Sequence, residues 1–338
     1  MQPFTYTRPG SAADAVAAHA QAGAGARYVA GGTSLYDMMK LGIDRPQHLI
    51  DVTAITGLDR IDTKGDVMRF EALAPMSAVA SDRTLLRDYP VLAEALSKAA
   101  SQQLRNMATV GGNLLQRTRC LYFRNGTGNP SAVGTYPCNK RVPGSGCAAI
   151  GGGDRGQAVL GQSASCTAVS PGDWPVALTA MNASVEVLGL EGARTMPISE
   201  IYRLPGDTPH LEFTLAPGEM ITAILVPKTP AGRRSTYHKI RDRESYAFAL
   251  ASAAVALDMD GDRVRTAHIA LGGVATMPWR ANAAERFLAG QRLTPETALA
   301  AGRAALQGAR AGKHNGFKIE LGARTLADAL MIAAERKA

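Results

Sequence analysis

The residues best suited to chemistry are four cysteines, Cys120, Cys138, Cys147 and Cys166, all in one Gly/Pro-rich segment of a 338-residue chain. Just ahead of the first lies a glycine-bearing turn, Thr109-Val110-Gly111-Gly112-Asn113. Clustered thiols close into disulfides, bind a metal ion or hold an iron–sulfur cluster, and each use has its own requirement. Two disulfides need an oxidising compartment. A structural zinc usually announces itself with close C-x-x-C pairs, whereas the gaps here are 17, 8 and 18 residues. Four thiolates around an iron–sulfur cluster tolerate such gaps when a loop wraps it. Spacing alone leaves the three readings open. Arg119, Lys140 and Arg141 are close in sequence and would favour thiolates and a cluster of net negative charge. The six histidines are scattered and form no ligand pair.

A second chemical signal is backbone suited to an anion. Arg27-Tyr28-Val29-Ala30 reads as a strand, Gly31-Gly32-Thr33 as a turn and Ser34 to Lys40 as a helix. Strand, small-residue turn and helix together aim free N–H groups at a phosphate. Thr109 to Asn113 is a second such turn. Neither matches G-x-G-x-x-G or the Walker pattern ending in Gly-Lys-Ser/Thr, which disfavours a nicotinamide Rossmann domain and a P-loop NTPase. Asp173, at the start of a helix running from Trp174 to Met181, is the kind of charge a helix dipole stabilises.

The elements that must position these groups read as two domains. Residues 1–228 open with a short strand at Phe4–Thr7 and a helix from Ala12 to Ala22, capped by Ser11 with Asp14 in the reciprocal position. Strands follow at His48–Val52 and Val67–Ala72, a helix or two between Ser77 and Ser101, then strands at Ala183–Gly189, Thr195–Ile198 and Gly218–Pro227. Between Tyr122 and Gln162 no hydrophobic period survives. Gly126, Gly128, Pro130 and Gly134 are among the residues that make it a long loop, of the kind usually functional or disordered. Pro227, Pro230 and Gly232 mark a boundary. Residues 233–338 then read as a three-stranded antiparallel sheet (Ser235–Ile240, Phe248–Asp258, Val264–Val274) backed by helices at 281–288, 294–307 and 324–336. Asp260-Gly261 is its hairpin signal. The fold class is α+β.

Net charge is +8 and the pI about 9.5, but most charges alternate in sign, which speaks against nucleic acid. The basic residues Arg117, Arg119, Arg124, Lys140 and Arg141 are expected to face a cofactor, an acidic partner surface or solvent. No apolar run approaches the ~18 residues that span a bilayer. The N-terminus lacks a secretory pattern.

With Ala30-Gly31-Gly32-Thr33, Thr109 to Asn113 and Ser170-Pro171-Gly172-Asp173 in place, and with Arg241 to Ala249 and Ala270 to Ala275, the chain resembles the FAD-binding medium subunit of the xanthine dehydrogenase/carbon monoxide dehydrogenase group of molybdenum hydroxylases. The likeness implies a two-subdomain FAD-binding domain of the PCMH/vanillyl-alcohol-oxidase-like kind, followed by the sheet and helix bundle. The cysteine loop, about residues 118–168, is similar to an insertion carrying an extra [4Fe-4S] cluster in some members. These are the periplasmic aldehyde oxidoreductases, which LLQRTRC, PCNKRVPGSGCAA and RDRESYAFAL favour, and 4-hydroxybenzoyl-CoA reductase, whose electrons run the other way. A non-enzymatic module pinned by zinc or disulfides is the alternative from another class.

Carried over by position, the resemblance puts the diphosphate of non-covalent FAD on Arg27, Tyr28, Val29, Ala30, Gly31, Gly32, Thr33, Ser34 and Leu35. It gives further parts of FAD to Thr109, Gly111, Gly112 and Asn113, the sugar hydroxyls to Asp173, and contacts to Met196 and Lys239. The cluster would be ligated by Cys120, Cys138, Cys147 and Cys166. No substrate-oxidising residue is expected on this chain. A large subunit with the molybdenum cofactor and a small subunit with [2Fe-2S] clusters would complete a heterotrimer that reduces an external acceptor. Export to the periplasm would ride on a partner's signal, with a cytoplasmic complex as the alternative.

Overall fold

The computed structural model describes residues 1–125 and 136–336. Gly126, Gly128, Pro130 and Gly134 of the expected long loop lie outside the described residues. The chain begins with β1 (Thr5–Thr7), α1 (Ala12–Ala22), β2 (Ala26–Val29), α2 (Leu35–Lys40) and β3 (His48–Asp51). These strands form a parallel sheet in the order β1-β3-β2. Ser11 caps α1 as its sequence predicts, its hydroxyl accepting from the Asp14 N–H at 3.1 Å.

Next come β4 (Ile61–Asp62), β5 (Val67–Glu71), α3 (Met76–Ala80), α4 (Arg83–Asp88), α5 (Pro90–Ser97), α6 (Gln102–Met107), α7 (Val110–Leu114) and α8 (Leu121–Arg124). The stretch expected to hold a helix or two is split into α3, α4 and α5 by its own caps. Asp82 accepts from Thr84 N and Leu85 N at the start of α4, and Pro90, which has no N–H to donate, opens α5. After the cysteine segment follow α9 (Trp174–Ala180), β6 (Ser184–Gly189), β7 (Gly192–Pro197) and β8 (Met220–Pro227). The second sheet is antiparallel, in the order β4-β5-β8-β6-β7.

The C-terminal part has β9 (Ser235–Ile240), β10 (Ala251–Asp260), β11 (Arg263–Gly272) and β12 (Trp279–Arg280), then α10 (Asn282–Leu288), α11 (Pro295–Ala305) and α12 (Phe317–Glu335). The three long strands are those the sequence predicts, and the two-residue β12 adds to their edge. Strand β10 is apolar on both faces because both are covered. Ala254 and Ala256 join the core of the second subdomain, while Ala253, Val255 and Leu257 join the core under the helices. This shared strand welds the two domains together.

Helix α12 starts seven residues before the position the apolar pattern predicts, because its first turns carry Lys318 and Gly322. Lys318 is 1 % exposed and donates to the carbonyl oxygens of Gly273 at 2.8 Å and Gly156 at 3.2 Å. Burial pulls its pKa down from 10.5 to about 8. The folded protein therefore binds fewer protons than the unfolded chain between about pH 8 and 10.5, so this group makes stability rise with pH across that window. Chemical denaturation at pH 8 and pH 10 should show that rise, and Lys318→Met should show a smaller one. Equal slopes in the two proteins would remove Lys318 as its source.

Candidate cofactor site

The two glycine turns meet. A methyl group added at Gly31 would overlap the Met107 carbonyl oxygen, and one at Gly111 would lie 2.7 Å from the Ala72 Cβ. Gly32 adopts φ +70°, which glycine takes at no steric cost. Thr109 caps α7, its hydroxyl accepting from the Gly112 N–H at 3.3 Å. Close packing at Gly31 and Gly111 brings both turns to the wall of one cleft between the subdomains and the start of the C-terminal sheet.

That cleft has a volume of about 980 Å³, at the top of the ~300–1,000 Å³ range of small-ligand pockets, which leaves room for an extended dinucleotide. Arg27 through Leu35, Thr109, Gly111, Gly112, Asn113, Asp173 and Lys239 all line it. Met196 does not. It sits on β7 opposite Val185, its side chain in the core of the second subdomain, where Arg194 Nη1 lies 3.2 Å from its sulfur. The structure thus keeps Met196 out of the cleft, because the β6–β7 hairpin turns that side chain inward. The wall also includes Met76 and Leu104, which the sequence did not single out, together with Arg119, Tyr246 and Phe248.

At the back of the cleft Asp173 and Lys239 form a buried pair. Asp173 Oδ2 accepts from Lys239 Nζ at 2.8 Å and Oδ1 accepts from the Tyr237 hydroxyl at 2.6 Å. The Ser252 hydroxyl donates to the Tyr237 oxygen at 2.9 Å. Burial pushes the Asp173 carboxyl up, and the Lys239 ammonium opposes that shift. The Lys239 side chain is 1 % exposed.

The buried polar atoms on the cleft wall that have no partner among the described residues include Ser34 Oγ and Asn113 Oδ1. Native structures rarely leave such groups unmatched. An extended ligand rich in hydroxyls and phosphate oxygens would satisfy both, and the residues present fit FAD.

The four cysteines surround a separate, small cavity containing about 280 Å³ of empty space. All four are free. Gln157 Nε2 donates to Cys120 Sγ at 3.4 Å, and the Ala168 N–H donates to Cys166 Sγ at 3.5 Å. Burial pushes the Cys120 thiol up and the Cys166 thiol up to about 11. Among the described residues, no three Cys, His, Asp or Glu side chains make a group that would hold a metal ion.

A third cavity, of about 640 Å³, lies between the cleft and the cysteines. It shares Arg119, Pro171, Asp173, Asp242, Ala247 and Phe248 with the cleft and Cys120 with the cysteine cavity. The short link from Asn113 to Cys120 therefore joins two adjoining spaces.

The expected basic patch is mostly internal. Arg117 and Lys140 pair with Glu212, Arg119 and Arg124 pair with Asp37, and Arg141 donates to the carbonyls of Tyr122, Phe123 and Tyr136. These cations bind the cysteine segment to the first domain. The other side of the segment is fixed to the C-terminal domain. Asp154 accepts from the N–H groups of Lys313 at 2.6 Å and His314 at 2.7 Å, and Asn315 donates to the Ala158 carbonyl at 3.2 Å.

Residues 2–229 match the family described as FAD binding domain in molybdopterin dehydrogenase, and residues 235–330 match the CO dehydrogenase flavoprotein C-terminal domain. The chain is 45 % identical over 333 residues to the aldehyde oxidoreductase FAD-binding subunit PaoB of Escherichia coli K12, covering 98 % of each. It is 30 % identical to the carbon monoxide dehydrogenase medium chain of Afipia carboxidovorans, covering 86 % of this chain and 81 % of that one. In structure it is similar to a chain of carbon monoxide dehydrogenase from Hydrogenophaga pseudoflava, with TM-score 0.77, 28 % identity and coverage of 100 % and 99 %. With both glycine turns on one dinucleotide-sized cleft and both domains matched, this chain belongs to the FAD-binding molybdopterin dehydrogenase family, as an oxidoreductase subunit of the molybdenum hydroxylases.

Proposed function

We propose that the chain is the FAD- and [4Fe-4S]-bearing electron-transfer subunit of a molybdenum-dependent aldehyde oxidoreductase, which converts an aldehyde to a carboxylic acid. The observation that carries the reading is the unbroken series of three adjoining spaces: cleft, shared cavity and cysteine cavity. FAD, when bound, would store two electrons and exchange them singly or as a pair. The turn residues Gly31 to Ser34 and Thr109 to Asn113 would hold it, with Asp173 and Lys239 at the back of the cleft. Cys120, Cys138, Cys147 and Cys166 would ligate the cluster. Four thiols around one enclosed cavity, with N–H donors on two sulfurs, suit a multi-iron cluster whose potential depends on such bonds.

The substrate site would be on a large molybdenum-cofactor subunit, with a small [2Fe-2S] subunit completing a heterotrimer and an external acceptor taking the electrons. The 45 % identity to an aldehyde oxidoreductase subunit over nearly the whole chain supports this assembly and substrate class. A periplasmic site for the complex follows from the same reading.

The purified protein should show flavin absorption near ~450 nm with a broad iron–sulfur shoulder. The complex should turn over an aldehyde with a dye acceptor. Absence of the flavin band would end the FAD reading. Cys138→Ser should lose iron and the shoulder, keep FAD, and slow turnover with a one-electron acceptor. Full turnover without iron would take the cysteines off the electron path.

A further inference from the structure

The way charges pair around the cleft is uneven. Four of its carboxylates have one cation each: Asp44 with Arg27, Asp173 with Lys239, Glu219 with Arg194 and Asp242 with Arg155. Asp37 instead holds two, Arg119 at 3.1 Å and Arg124 at 2.7 Å. Glu212, close by in the same network, also holds two, Arg117 and Lys140. This joint between cleft and cysteine segment thus has two more positive charges than negative ones.

Within the joint, Arg119 is the cation that lines both the cleft and the adjoining cavity. Its guanidinium stacks on the Phe248 ring at 5.0 Å, and Nη1 is held by Asp37. Its Nε is buried and has no partner among the described residues. A guanidinium presents its donors in a rigid fork, and an unmatched N–H in that fork is aimed rather than floppy.

We propose that Arg119, supplied by the cysteine segment, is a further cofactor-positioning residue that presents its charge to an anionic part of bound FAD while Asp37 and Phe248 hold it in place. The proposal rests on the FAD reading above. It gives the segment a task at the flavin that does not depend on whether a cluster conducts electrons. The anionic partner is either the diphosphate or the flavin ring, since a ring that takes up two electrons and one proton carries one negative charge.

The test is titration of the FAD-stripped full-length chain with oxidised FAD and, anaerobically, with reduced FAD, followed by calorimetry. Arg119→Gln should weaken at least one form about tenfold, the scale of one lost charge-assisted hydrogen bond. Equal weakening of both forms assigns the charge to the diphosphate. Greater weakening of reduced FAD assigns it to the ring, and each tenfold difference lowers the two-electron potential by about 30 mV. Arg265→Gln, which removes an exposed cation paired with Asp258 outside the cleft, controls for net charge and should bind as wild type. Arg119→Lys keeps the charge and the reach to Asp37 but loses the fork and the flat stack, and should fall between. Wild-type affinity for both forms in Arg119→Gln and Arg119→Lys would overturn the proposal. A wild-type chain that takes up no FAD would instead overturn the flavin reading on which it rests.

Discussion

Asp173→Ala should destabilise the protein by about 3–5 kcal/mol, the usual cost of stranding one member of a buried ion pair, and should abolish FAD retention. The cause is Lys239, whose Nζ would keep only the Lys98 carbonyl at 3.0 Å as a partner. Tyr237 would retain Ser252, so the loss falls mainly on the cation. The double variant Asp173→Leu with Lys239→Met removes both charges and should recover most of the stability, because an apolar replacement of a buried pair is often neutral. It should still fail to hold FAD. Urea midpoints and the FAD-to-protein absorbance ratio separate the two effects. A single variant as stable as wild type would show that the pair contributes nothing to folding.

Gly31→Ala is expected to be nearly as damaging to the cofactor site, through a different cause. The added methyl would run into backbone, the Met107 carbonyl, which cannot swing away as a flexible side chain can. The turn after β2 and the turn before α7 would be forced apart. Overpacking of this kind costs about 1–3 kcal/mol, and here the displaced atoms are the walls of the cleft. FAD affinity should drop by ten- to a hundredfold or more, the equivalent of that energy. Gly10→Ala, where a methyl meets nothing within 4 Å, should leave affinity unchanged. Equal affinity in the two variants would mean that contact between the turns does not shape the site.

Both variants concern residues the sequence identifies for different reasons. The glycine turns are legible because tight backbone approach leaves glycine where other residues would collide. The helix caps at Ser11 and Thr294, and the β10–β11 hairpin, are legible because each is a local matter of a few residues. The partnership of Asp173 with Lys239 is not, since it joins groups 66 positions apart that meet only once the C-terminal sheet docks on α9. Its place on a strand does not reveal that Lys239 is buried. A position carried over from relatives does not fix which way a hairpin side chain points, and the Met196 side chain lies in the core. The basic residues near the cysteines were read as facing a cofactor, a partner or solvent, but Asp37 and Glu212, remote in sequence, turn most of them inward. The start of α12 escaped the apolar pattern because a lysine and a glycine occupy buried positions there.

The two-sided fastening of the cysteine segment has a consequence for how the protein is made. Asp154 and Ala158 take their partners from residues 313–315, and Gly156 takes Lys318, near the far end of the chain. A ribosome releases the thiols well before it releases those partners. Contacts so distant in sequence form late, so during synthesis the cysteine segment has only its fastening to Asp37 and Glu212 until the last helices emerge. Its final arrangement is a product of completed folding rather than a nucleus for it, and a chain cut short before α12 would hold the thiols from one side alone.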